Sequence, residues 1–195
     1  LHIFHVTNHP GWMNSAMLIL WIPFGFRGTC YYMRKVYHRS FFQNPSACMV
    51  SKPDINHTLG YSGERGIFIF NNLHRYMLYL AIAILSMKYY DVVHTMQFSG
   101  SWGLSVGTFV LAIESFLLTM YVISCHAFRH LVGGSLKQWR GGASSIAGRI
   151  FRFSSRHNVH HNLWFWTSLA MVFLGDLFVM AVAEGLISDP RFILG

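Results

Sequence analysis

Four windows of the chain are apolar over lengths that fit membrane helices. They are 11–26 (GWMNSAMLILWIPFGF), about 66–87 (GIFIFNNLHRYMLYLAIAILSM), about 104–124 (LSVGTFVLAIESFLLTMYVIS) and about 162–187 (NLWFWTSLAMVFLGDLFVMAVAEGLI). A bilayer core takes roughly 20 mostly apolar residues per helix, so the first window is short and the other three are of full length. The apolar runs are continuous and lack period-two alternation, which predicts helices rather than barrel strands. The expectation is an all-α integral membrane bundle of four transmembrane helices, with 1–195 as a single domain. No internal repeat or heptad run interrupts it, and GGASSIAG (141–148) reads as a loop.

Composition agrees with this pattern. Of 195 residues, 53% are hydrophobic and only 11% charged, against about 25% charged in ordinary soluble domains. The net charge of +8 would suit nucleic acid in a soluble chain, but here the placement of the charges carries the information. Arg27, Arg34, Lys35, Arg39, Lys52 and Arg65 fall in one connecting segment, and Arg129, Lys137, Arg140, Arg149, Arg152 and Arg156 in another. The positive-inside rule puts both segments in the cytoplasm and turns the 88–103 linker and the C-terminal end outward. That is the arrangement of a multi-pass protein of the cell's inner (plasma) membrane, with no nucleic-acid partner. The same rule leaves Leu1 outside, so a fifth helix upstream is expected.

The chain's chemistry collects on the cytoplasmic side. Cys30 follows the first window, Cys48 lies in the first basic segment, and Cys125, His126 and His130 lie at the end of the third window. His157, His160 and His161 lie at the start of the fourth window. His74 sits about eight residues into the second window, roughly 12 Å deep at ~1.5 Å per residue. An imidazole in hydrocarbon is costly without a partner, and His126 and His130, four apart, share a helix face. A histidine at an interface is often only a polar anchor, and a helix cysteine often a small buried hydrophobe. A set drawn from four segments at one level points instead to a metal or redox centre. Three chemistries accept such donors. A b-type haem takes two imidazoles from facing helices, with His94 and His9 available for a second haem. Structural zinc usually comes with short paired spacings such as C-x2-C, which are absent. A Rieske-type [2Fe–2S] cluster takes two thiolates and two imidazoles. Glu114 and Asp176, inside apolar windows, imply either a proton path or a paired polar contact.

Several stretches in order, CYYMRKVYHRSFF (30–42), PSAC (45–48), NNLHRY (71–76), SCHAFRHLVGG (124–134) and DPRF (189–192), resemble the single-chain membrane anchor of actinobacterial and mycobacterial succinate dehydrogenases. The resemblance runs through nearly the whole chain. It implies an anchor subunit of complex II, bound to a flavoprotein and an iron–sulfur subunit, that delivers electrons to menaquinone or ubiquinone and does not itself oxidise succinate. It also implies a haem-less anchor with a Rieske-type [2Fe–2S] cluster, in a complex that can form a higher oligomer. Carried over residue by residue, the candidate ligands are Cys30, Cys48, Cys125, His74, His126 and His130, with His74 and His130 favoured as the imidazoles. Phe128 stands where relatives carry a further cysteine, which makes Cys30 and Cys48 more attractive. Arg75 and Arg129 are candidates to hydrogen-bond a quinone, with Trp164 and Trp166 packing its ring; otherwise they are snorkelling arginines and belt tryptophans. A di-haem b cytochrome anchor is the alternative cofactor reading. A non-redox scaffold or transporter would account for the helices but leave the one-sided crowd of Cys and His unexplained.

Overall fold

The computed structural model describes residues 17–30, 32–33, 70–98, 101–133 and 145–193. Among the described residues there are six helices and three short strands. Helix α1 is Met17–Gly28, α2 Phe70–Thr95, α3 Val106–Ile123, α4 His126–Gly133, α5 Ile146–Asn158 and α6 His161–Ala183. The strands are β1 Gln97–Phe98, β2 Ser101–Ser105 and β3 Arg191–Ile193. Among the described residues, three stretches, 73–95 within α2, 106–123 (α3) and 161–183 (α6), are long and apolar enough to cross a membrane. The first expected window is represented by the 12 residues of α1. Helix α3 packs against both α2 and α6, α1 lies on α2, and α4 and α5 pack together.

The burial pattern is that of a chain built for lipid. Phe109, Ile113, Phe116, Phe173, Leu174, Val179 and Met180 are exposed, while Thr108, Glu114, Ser115, Ser124, Ser154 and Ser168 are buried. Where the surrounding solvent is hydrocarbon, apolar burial between helices gains little, and small or polar side chains let backbones approach and bond. On α6 the buried stripe is His161, Phe165, Ser168 and Gly175, spaced for one helix face.

Two boundaries differ from expectation. Helix α2 runs on to Thr95 instead of ending near 87, because Lys88 does not sit in an outer linker: its Nζ donates to Glu114 Oε1 at 2.6 Å. The last helix stops at Ala183 rather than 187. Gly185, at φ +71°, reverses the chain there, with Leu186 N donating to Ala181 O and Gly185 N to Val182 O, the paired bonds of a Schellman cap.

The strands were not expected, being too short to leave a periodic signal. They form an antiparallel β1-β2-β3 sheet in which Gln97 pairs with Trp102 and Ser105 with Arg191. The sheet leads straight into α3. There Ser105 Oγ accepts from Thr108 N, and Asp189 Oδ1 accepts from Gly107 N at 2.9 Å. Asp189 opens the DPRF stretch, and a carboxylate on the first N–H groups of a helix is favourable by charge and by geometry. At the opposite end, the second basic segment is partly helical as α4 and α5, with Ser145 capping α5 through Gly148 N.

Candidate metal centre

Four chain segments meet where α1 ends, α2 begins, α3 ends and α6 begins. Each contributes one donor of metal-ligand type, Cys30, His74, Cys125 and His161, and all four are buried. They form two pairs. His74 Nε2 lies 3.0 Å from Cys125 Sγ, and His161 Nε2 lies 3.4 Å from Cys30 Sγ. Neither cysteine is in a disulfide.

The hydroxyls behind the imidazoles determine which nitrogen carries the proton. Thr29 Oγ1 donates to Gly25 O at 2.6 Å, so toward His74 Nδ1, 3.1 Å away, it can only accept. Ser124 Oγ donates to Tyr121 O at 3.1 Å and faces His161 Nδ1 at 2.8 Å. Both histidines are therefore assigned the Nδ1–H tautomer from the hydrogen-bond network, which leaves each Nε2 lone pair aimed at a cysteine sulfur. This is the outer-shell arrangement that orients metal-binding histidines. Phe26 stacks on His74 with ring centres 4.7 Å apart, and Tyr121 stacks on His161 at 5.1 Å, so neither ring is free to turn.

Burial pushes the Cys125 thiol up to about 12, with Cys30 adding to the rise and the backbone N–H groups of Ala127 and Phe128 opposing it. Those two amides belong to the first turn of α4 and aim at the sulfur. Without a cation Cys125 stays a thiol at neutral pH; a metal would supply the charge that makes it a thiolate. Tyr121 Oη is buried beside Cys30, within hydrogen-bonding reach of its sulfur. Among the described residues, no three Cys, His, Asp or Glu side chains converge on one point as a single-ion site would require. Two thiols and two oriented imidazoles are the donor set that a binuclear cluster, with two protein ligands per metal, would take.

Of the residues expected from sequence, Cys30, Cys125 and His74 belong to this constellation. Cys48 lies outside the described residues. His126 is exposed at the start of α4, and His130 lies on α4 with its side chain outside the described set. The fourth donor is His161, which sequence reading located but did not select. The available signal was its place at the head of the buried stripe on α6. The quinone candidates divide as well. Arg129 Nη1 donates to Asn158 Oδ1 at 3.2 Å and its guanidinium lies over Phe151. Arg129 Nε and Trp164 Nε1 are buried donors without a partner among the described residues. Trp166 is exposed and donates to Tyr32 Oη at 3.1 Å, and Arg75 is exposed.

The family described as actinobacterial succinate dehydrogenase subunit SdhC matches residues 2–185. Among solved structures, a chain of the Mycobacterium smegmatis Sdh1 complex in the apo form is similar, with a TM-score of 0.77 and 33% sequence identity. The match covers 96% of this chain and 69% of that one. No curated protein matches significantly. Its bundle of apolar helices, its family match and its structural likeness agree: the chain belongs to the actinobacterial SdhC family, the membrane-anchor subunit of succinate dehydrogenase.

Proposed function

We propose that this anchor relays electrons from the iron–sulfur subunit of its complex to a quinone in the plasma membrane, through a Rieske-type [2Fe–2S] centre held by Cys30, Cys125, His74 and His161. The observation that carries this reading is the twin arrangement of the histidines. Each Nδ1–H is held by a hydroxyl whose own proton is spent on a helix carbonyl, and each Nε2 faces a cysteine sulfur. Such a centre supplies one-electron transfer, at a potential raised by imidazole ligation above that of an all-thiolate cluster.

The chain's own residues orient the donors and keep water away. Thr29 and Ser124 hold the tautomers, Phe26 and Tyr121 hold the ring planes, and the α4 amides stabilise charge on Cys125. Arg129 and Trp164, each with a buried N–H that has no partner among the described residues, are the donors proposed for a quinone carbonyl. Menaquinone is the proposed acceptor, with the basic segments on the cytoplasmic side where the partner subunits dock.

The test is made on the assembled complex. A dithionite-reduced minus oxidised spectrum should show broad bleaching without sharp b-type haem bands. The double variant H74A/H161A should keep artificial-dye reduction by the soluble subunits and lose quinone reduction, while H130A keeps both. Sharp haem bands, or quinone reduction surviving in H74A/H161A, would overturn the proposal.

A further inference from the structure

Among the described residues, Arg27 is a cation packed beside this constellation that the proposed chemistry has not yet used. It stands at the end of α1, three residues before Cys30. Its Nη1 donates to Phe165 O at 2.9 Å and its Nη2 to Ser168 Oγ at 3.0 Å. The guanidinium lies over the rings of Tyr121, 4.8 Å from the centroid, and Phe165, 5.1 Å from the centroid. An arginine that merely snorkels reaches outward to the membrane surface. Arg27 reaches the other way: Phe165 and Ser168 lie four and seven residues further along α6 than His161, or roughly 6 and 10 Å deeper.

This charge is held against the centre by two routes. Tyr121, whose face it covers, stacks on His161, and one helical turn links it to Cys30, whose N–H donates to Arg27 O at 3.2 Å. Arg27 also acts electrostatically on both Cys30 and His161. Among the described residues no carboxylate pairs with it; the ion pair there is Lys88 with Glu114. A carbonyl, a hydroxyl and two ring faces solvate a guanidinium and contribute a cation–π term, but none of them neutralises it. Guanidinium stays protonated in proteins, so the positive charge is permanent.

We infer that Arg27 raises the reduction potential of the Cys30, Cys125, His74 and His161 centre, favouring the transfer of an electron into the membrane. The inference rests on the proposed function above. Each electron that the centre takes from the iron–sulfur subunit adds one negative charge beside a fixed positive one, and that charge leaves again when the electron passes to quinone. Arg27 touches neither substrate nor donor atoms, so it is a positioning residue acting through the field at the centre. At an effective permittivity near 20, a unit charge roughly 10 Å from a redox group changes its oxidised-to-reduced ratio by about tenfold or more.

The experiment is an equilibrium redox titration of the purified complex, followed by electron paramagnetic resonance, with iron content measured on the same samples. In Arg27→Gln the reduced fraction at a given potential should fall about tenfold relative to oxidised, a midpoint about 59 mV lower for a one-electron couple. Arg27→Lys, which keeps the charge and loses the forked geometry, should stay near wild type. Should Arg27→Gln fail to assemble, Ser168→Asp tests the same charge by setting a carboxylate against the guanidinium, and the midpoint should again fall. The inference is overturned by an unchanged midpoint in the assembled Gln or Asp variant, or by a Lys variant that shifts as far as Gln. A wild-type complex with no signal from such a centre overturns the proposed function itself, and this inference with it.

Discussion

Removal of the Lys88 ammonium tests how the transmembrane part of the bundle is held. Lys88 Nζ meets Glu114 Oε1 at 2.6 Å, with the glutamate side chain 1% exposed and the lysine 20%. The other carboxylate oxygen is backed by Gly175, where an added Cβ would stand 3.1 Å away, so the carboxylate has no room to swing toward water. Lys88→Met leaves that carboxylate two choices, to remain charged and unpaired or to take a proton. Taking a proton at pH 7 from an ordinary carboxyl pKa of about 4.3 costs about 3.7 kcal/mol, which caps the electrostatic loss. The cap agrees with the roughly 3–5 kcal/mol typical of breaking a buried pair from one side. We expect about 3 kcal/mol of destabilisation at pH 7, shrinking to about 1 kcal/mol at pH 5, where protonation is cheaper. The double variant K88M/E114Q should recover at least half of the loss, since it leaves no stranded charge. Unfolding of the detergent-solubilised complex in graded SDS, followed by tryptophan fluorescence at both pH values, reads all three quantities. A loss below about 1 kcal/mol at pH 7, or a double variant no better than K88M, would refute the reasoning.

Other predictions concern positions whose roles are local. Thr29→Val and Ser124→Ala each remove the acceptor that holds one Nδ1–H. Each should weaken retention of the metal centre by about 10- to 100-fold, measured as iron content after chelator challenge, and undiminished retention would separate these hydroxyls from the site. Gly185→Ala forces a Cβ into φ +71° with no atom within 4 Å to contact it. Thermal unfolding should therefore report a purely backbone loss of about 1 kcal/mol, smaller in Gly185→Asn; an unchanged midpoint in Gly185→Ala would count against the cap.

Much of this architecture was legible in the order of apolar residues. The third window, 104–124, and the observed α3, Val106–Ile123, differ by one or two residues at each end, because hydrocarbon thickness leaves little freedom in where such a run can stop. Lys88 misled for a physical reason: a lysine at the end of an apolar run reads as a boundary. Its partner Glu114 is 26 positions away and on another helix. Long-range partnership of that kind has no local signal. The strands are too short to leave a periodic signal, and β3 in addition is defined by pairing with β2 nearly ninety residues earlier. At the centre, Cys30, Cys125 and His74 stood out by chemistry and depth. Choosing among His130, His157, His160 and His161 needed the rotation of α6, and that rotation is set by Phe165, Ser168 and Gly175 packing inward. Thr29 and Ser124, the two hydroxyls that hold the tautomers, carry no mark in the sequence, because serine and threonine are common at helix ends.

The central claim is that two histidines, His74 and His161, ligate one membrane centre. It is tested most directly by electron spin-echo spectroscopy of the reduced complex with 15N-labelled histidine. The account predicts two strongly coupled histidine nitrogens in the wild type, reduced to one in either His74→Cys or His161→Cys and unchanged in His130→Cys. Two couplings persisting in His161→Cys, or one lost in His130→Cys, would contradict it.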